Sequence, residues 1–386
     1  MSKRFQTVGS LLRPEPLLRY KRLIENRGGI RYPFYDDFPG YEQAETDAVK
    51  EVVSRQIEHG LTVVTDGEYS KSMWHLDFAW GLSGVERYIA EHGYFFRDKD
   101  RHGHYETRRD IGVRVTGPLS GKGHHFIDAY KRLASIAPKG TALKQCVWAP
   151  AHAYTELAIF DKLAGEGQVY PDNASLKRAL INAYKEFVAE YAKAGGGILQ
   201  FDDCLWELFA ADNDNSPFTG GAESPEVRGF ADEFISINNE VIDYAHGLGL
   251  KVWTHNCRGN YSSRDMCGGS YGAIAGLFLG GQRYDRFFLE WDDDRAGSLE
   301  ALAVFKDKPG VEIVLGLLSS KTNALDDEER AVRMLNEAAA IIPKERLMLS
   351  HQCGFASCDG GNELTEAEQW AKIDQGQKIA QGYWGE

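Results

Sequence analysis

No stretch of this chain approaches the roughly 18 apolar residues that a membrane-spanning helix needs, so a membrane protein is not expected. The opening residues Met1-Ser2-Lys3-Arg4-Phe5 contain no apolar signal-peptide core, and a cytoplasmic chain is expected. Positive charge is in short supply: 44 Lys and Arg stand against 57 Asp and Glu, a formal net charge of −13. That balance argues against a nucleic-acid or anionic-membrane surface, although the potential inside one cleft can oppose the global sign. No Gly-x-Gly-x-x-Gly turn follows an early strand, which weakens a dinucleotide-binding sheet. Coiled-coil heptads, low-complexity tails and short-period repeats are also missing. Cysteine is sparse, six in 386 residues. In a reducing compartment such cysteines are free core residues, metal ligands or catalytic groups rather than disulfides.

What the chain does have is ordinary globular composition, 43% hydrophobic and 26% charged, and a rhythm. Short apolar, β-prone runs alternate with amphipathic stretches. Strands are expected at 5–10, 61–68, 145–149, 198–202, 251–255, 286–290, 311–317 and 346–351. Helices are expected at about 41–59, 175–194, 224–247, 269–280, 299–306, 327–342 and 365–380. Eight strands, most of them followed by a helix, predict an α/β protein with a (β/α)8 TIM barrel in one domain over residues 1–386. An open doubly wound sheet is the second choice. Residues about 83–120 break the rhythm. Rich in Tyr, Arg, His and Gly, with alternation at 111–115, they read as an inserted hairpin or lid segment.

In such a barrel, functional groups gather at the carboxyl ends of the strands. Those ends are polar here: Gly9-Ser10, Asp66-Gly67-Glu68, Asp202-Asp203, His255-Asn256-Cys257, Glu290-Trp291-Asp292 and Ser350-His351-Gln352-Cys353. Strand side chains alternate faces, so His255 and Cys257 share one. With Glu290 and Cys353 they offer one nitrogen, two sulfurs and one oxygen, a set that suits zinc better than the hard cations. Taken singly, each signal is weaker. A His-x-Cys pair at a strand end is more often structural, Glu290 sits in an acidic run with Asp292, Asp293 and Asp294, and Cys353 has a rival in Cys358. Cys146, Cys204 and Cys267 read as buried core thiols. Ser10, Glu68 and Asp202 form a pocket able to receive a substrate ammonium, although a buried ion pair explains each carboxylate as well. A glycosidase would use the carboxylates and leave His255, Cys257 and Cys353 idle.

Several longer segments occur in one order along nearly the whole chain: TVGSLLRP from Thr7, TDGE from Thr65, WHLDF from Trp74, QFDD from Gln200 and THNCRGN from Thr254. They continue with RFFLEWDDDRAG from Arg286, VLGLLSSKT from Val314, LSHQCGFAS from Leu349 and GNELTEAEQWAK from Gly361. On these segments the chain resembles the catalytic barrel of cobalamin-independent methionine synthases, above all the short single-barrel members of that family. The resemblance implies that His255, Cys257, Glu290 and Cys353 hold Zn2+, and that Ser10, Glu68 and Asp202 hold the amino-acid part of homocysteine. It implies a methyltransferase that moves a methyl group to the homocysteine thiolate, with methyltetrahydrofolate as donor and methionine as product. The implied partners are a small thiol and a methyl donor, with no nucleic acid and no membrane; a homo-oligomer stays open. Full-length members also carry an Asp-x-His-Ser segment after the seventh strand, associated with protonating the folate leaving group. Here residues 316–322 read Gly-Leu-Leu-Ser-Ser-Lys-Thr, which leaves Lys321 and His351 as candidate catalytic acids. At this point a methylcorrinoid or epoxide-type donor stays open, as does a non-catalytic zinc- or homocysteine-binding protein. Trp74, His75 and Trp148 are candidate walls on the donor side.

Overall fold

The computed structural model describes residues 1–34, 38–98, 103–209 and 224–386. Its strands are β1 (Val63–Val64), β2 (Ser83–Tyr88), β3 (Phe95–Arg97), β4 (His104–Glu106), β5 (Gly112–Ser120), β6 (Ala142–Trp148), β7 (Ile198–Asp202), β8 (Lys251–Asn256), β9 (Arg286–Glu290), β10 (Glu312–Leu318) and β11 (Leu347–His351). Seven of them form one curled parallel sheet in the order β1-β6-β7-β8-β9-β10-β11. Helices separate successive strands, which is how parallel neighbours must be connected. The two longest between strands, Asn173–Lys193 and Pro225–Gly247, precede β7 and β8. This is an α/β architecture consistent with a TIM-type barrel.

The run expected as a first strand, residues 5–10, is reduced to a single parallel bridge between Phe5 and Leu349. Its carbonyls are taken by side chains instead of by a neighbouring strand. Lys144 Nζ donates to Thr7 O and Val8 O, Gln200 Nε2 to Val8 O, and Thr65 Oγ1 to Gly9 O. The second expected strand, 61–68, pairs only at Val63–Val64 for the same reason. Beyond it, the Gln56 side chain takes both the N–H and the C=O of Thr65. Residues 4–11 still connect the two edges of the sheet. Gln6 N donates to Leu349 O (2.9 Å) on one side, and Leu11 N to Gly67 O (3.0 Å) on the other.

Inside the sheet, Val8, Trp253, Phe288, Val314 and Met348 form a separate apolar layer. Barrel interiors are filled by such layers, which makes them cores rather than pores. Two long helices open with capping boxes, Asp172 with Ser175 before Asn173–Lys193 and Thr365 with Glu368 before Glu366–Trp384. Helix His125–Ile136 was not foreshadowed by the sequence rhythm. Its N-cap is His124, whose ring accepts from Phe126 N, in a role usually filled by Ser, Thr, Asp or Asn. No described helix is long and apolar enough to cross a membrane.

Within residues 83–120, β2 pairs antiparallel with β5, and β3 with β4; residues 99–102 lie outside the described residues. Buried charges fix this insertion to the strand-end loops. Arg87 and Arg108 both bind Asp110, and Arg108 reaches Asp359 at 3.1 Å. Arg97 N also donates to Asp265 O (2.9 Å), and Phe96 packs on Tyr261.

Candidate functional site

His255 lies two residues beyond Trp253 on β8, and Glu290 two beyond Phe288 on β9. The alternation that buries Trp253 and Phe288 in the interior layer therefore aims His255 and Glu290 at the next level up. Cys257 follows His255 just past the end of β8, and Cys353 follows β11. The ligand atoms of His255, Cys257, Glu290 and Cys353 all lie within 4.8 Å of one another, and all four residues are buried. The two sulfurs are 3.7 Å apart, and His255 Nε2 stands 3.9 Å from Glu290 Oε1. Two thiolates on a tetrahedral zinc with bonds of ~2.3 Å would be about 3.8 Å apart.

Neither nitrogen of His255 nor Glu290 Oε1 has a hydrogen-bond partner among the described residues. Buried polar atoms are normally satisfied, so three orphans converging on two thiols fit a cation that would bind them all. Electrostatics agree. Burial pushes Glu290 up to about 7, and the thiols of Cys257 and Cys353 are held well above their ordinary value, first by contact with Cys204 and with Cys257 respectively. A dication reverses that preference and favours thiolate and carboxylate. The outer oxygen and sulfur valences are supported by backbone, Arg258 N to Glu290 Oε2 and Gly259 N to Cys257 Sγ, both at 3.3 Å.

A second cluster, Glu68, Cys146 and Asp202, is equally buried and equally tight. Its surroundings differ. Glu68 Oε2 pairs with Lys71 Nζ at 3.0 Å, which realises the ion-pair alternative for that carboxylate. Asp202 has no lysine against it among the described residues. Gln200 stands between, its amide donating to Asp202 Oδ1 (2.7 Å) and its carbonyl accepting from Lys144 Nζ (2.7 Å). Burial, then the charge of Glu68, raises Asp202 to about 7. Glu68 itself adopts a left-handed backbone, φ +62°, a conformation that costs a non-glycine residue about 1 kcal/mol or more and recurs at functional sites. Gly9 leaves room for it: a Cβ there would come within 2.9 Å of Glu68 Oε1. Ser10 Oγ accepts from Ala356 N (3.3 Å).

Ser10, Glu68, Asp202, His255, Cys257 and Cys353 all open on one cavity of about 490 Å3. Its other walls include Trp74, His75, His152, Tyr94 and Glu156. Trp148 backs this wall, its ring edge-on to His75 at 5.0 Å. Lys321 and His351 do not border the cavity. Lys321 is buried behind the cluster: burial opposes its charge, but Glu290 and Asp292 outweigh it and hold its pKa above the ordinary value. His351 is wedged between the rings of Phe5 and Phe355, and burial lowers it to about 3. Cys204, expected in the core, borders the cavity beside Cys257. Of the rival thiols, Cys353 joins the ligand cluster, whereas Cys358 bridges to Met73 and its carbonyl takes Arg13. Lys71, Lys144, Gln200, Tyr94 and Glu156 were not foreseen. For Lys144 a signal existed, since it alternates with Cys146 and Trp148 on one face of β6.

No family model matches the chain. The uncharacterized Bacillus subtilis proteins YxjH and YxjG are 35% and 33% identical to it, over 98% and 99% of this chain and 93% and 94% of their own lengths. A Listeria monocytogenes structure, provisionally named a vitamin-B12-independent methionine synthase, matches 98% of this chain and 97% of its own with a TM-score of 0.67 and 26% identity. The chain belongs to the cobalamin-independent methionine synthase family. A B12-independent methionine synthase from Shewanella sp. W3-18-1, in complex with selenomethionine, shares the family fold with a TM-score of 0.69 at 18% identity, over 100% of this chain and 98% of its own. The likeness runs over nearly the whole length of the chain.

Proposed function

We propose that the protein is a zinc-dependent methyltransferase that methylates the thiol of homocysteine to give methionine. The observation that carries this reading is the convergence of four buried ligand-type groups, three of their atoms unpartnered among the described residues, with His255, Cys257 and Cys353 bordering a cavity that Asp202 and Glu68 also border. His255, Cys257, Glu290 and Cys353 would hold the metal. Bound there, zinc supplies the Lewis acidity that ionises a thiol near neutral pH.

The protein's own groups do the rest. Among the described residues Asp202 faces no lysine directly, so a substrate ammonium would complete its charge balance, with Glu68 beside it and Ser10 on the rim. Holding the amino-acid end fixes the thiol against the donor and removes much of the entropic barrier to methyl transfer. The donor, of the methyltetrahydrofolate type, would occupy the wall formed by Trp74, His75 and His152, with Trp148 behind it. An anionic thiol such as a sulfonate fits less well, because Lys71 and Lys144 already spend their protons on Glu68, Gln200 and backbone carbonyls.

The test is metal analysis of the purified protein followed by a donor screen with homocysteine, read by mass. About one zinc per chain and methionine formed over many turnovers are expected. A protein that neither carries nor takes up zinc overturns the reading.

A further inference from the structure

Breaking a methyl–nitrogen bond leaves an electron pair on an amine nitrogen, which departs poorly unless a proton meets it. Neither Lys321 nor His351 borders the cavity that would hold the donor. We propose that Glu156, anchored by Tyr94 of the insertion, is the acid that protonates the departing nitrogen of an N-methyl donor; this rests on the methyl-transfer reading above.

Glu156 and Tyr94 both border the cavity. Tyr94 Oη donates to Glu156 Oε1 at 2.7 Å, and His75 Nε2 lies 3.2 Å from the same phenol oxygen. Because the phenol proton is committed to Glu156, His75 must donate through Nε2, which leaves its Nδ1 as the unprotonated atom, buried and without a partner among the described residues. The second carboxyl oxygen of Glu156 has no protein partner among the described residues. The local backbone is irregular in a way that suits a functional group. Helix Pro150–Tyr154 continues through Thr155–Phe160 as a π-helical turn, closed by Asp161 N on Glu156 O at 2.8 Å. Such wide turns recur at functional sites.

The charged and titratable groups that face Glu156 are Tyr94, from the insertion, and Asp161, at the end of its own turn; no Lys, Arg or His forms an ion pair with it among the described residues. Burial, then the charge of Asp161, raises Glu156 to about 7, so it keeps a proton near neutrality. Tyr94 is held well above its ordinary value by burial and stays a phenol. His75 and His152 are both pushed down by burial and stay neutral.

In the step, the thiolate sulfur attacks the methyl carbon and the S–C bond forms. The C–N bond breaks, its electron pair goes to nitrogen, and the Glu156 proton moves to that nitrogen. Glu156 is left as a carboxylate and regains its proton from water.

The test compares the wild-type protein, Glu156→Gln and Tyr94→Phe with 5-methyltetrahydrofolate as donor. Glu156→Gln is expected to lower kcat by roughly 10²–10⁴-fold, with zinc content and homocysteine affinity retained. The wild-type rate should fall as pH rises through about 7, and this limb should vanish in Glu156→Gln. Tyr94→Phe removes a hydrogen bond that favours the carboxylate, so its falling limb should move to higher pH. A Glu156→Gln protein within about threefold of wild type in kcat overturns the assignment. If Glu156→Gln does not fold, an unmoved limb in Tyr94→Phe overturns it. A wild-type protein that takes methyl groups only from a sulfonium donor, which needs no proton on leaving, overturns this assignment and leaves methyl transfer standing. Zinc-loaded wild type with no transfer from any donor overturns the methyl-transfer reading itself.

Discussion

Two clusters reach one cavity, and both include carboxylate and cysteine with ligand atoms within 4.8 Å of one another. One contains His255 and has no lysine or arginine side chain bonded to its members among the described residues. The other has Lys71 against Glu68, and Lys144 one amide away from Asp202. Residue type alone makes both look like metal sites. The cations in direct contact separate them: Lys71 already pairs with the second, whereas Lys321 acts on the first only through its charge. On the proposed function, a dication and an ammonium are their respective guests.

The comparison breaks most sharply at the thiols. Cys257→Ser or Cys353→Ser should lower zinc affinity by more than about 100-fold, beyond the usual cost of losing an outer-shell partner, and take methyl transfer to background. Metal analysis decides it; retained zinc would mean that the first cluster is not the metal site. Next in size is Lys71→Met, which leaves Glu68 as a buried, unpaired charge and should cost about 3–5 kcal/mol in denaturant unfolding. Adding Glu68→Gln should recover much of that loss, and no recovery would show that Lys71 acts through packing. Asp202→Asn should keep the zinc yet weaken homocysteine by roughly 10–100-fold, the worth of one charge-assisted hydrogen bond, measured by calorimetry. Equal binding by the variant would remove the ammonium from the second cluster. Ser10→Ala should be the mildest, at about 1 kcal/mol or less of binding free energy in the same titration.

Much of this was legible in the sequence. The strands that carry Asp202, His255, Glu290 and His351 are continuous apolar runs, because both of their faces are covered. Their polar ends therefore stood out. Residues 5–10 and 61–68 have the same apolar look, yet side chains of Lys144, Gln200 and Gln56 replace their ladders. Periodicity cannot report a hydrogen bond made by a side chain outside the run, whether from nine positions away, as with Gln56, or from more than a hundred, as with Lys144 and Gln200. Lys71 and Lys144 escaped for a related reason: lysine is almost always a surface residue, and only its neighbours reveal a buried one. Glu156 and Tyr94 meet across 62 residues, on a widened helical turn and an inserted ribbon. Nothing in either local pattern marks them as a pair.

Gln200 gives the molecule a form of insulation. It passes the pull of Lys144 to Asp202 as an oriented amide dipole while keeping the ammonium itself out of contact. Were a lysine to touch Asp202, the carboxylate would be neutralised from within and would gain little from an incoming guest. A neutral spacer with two fixed ends leaves the charge deficit standing until something from outside fills it. On the proposed function, selectivity for a cationic substrate would be written into a residue that never carries a charge.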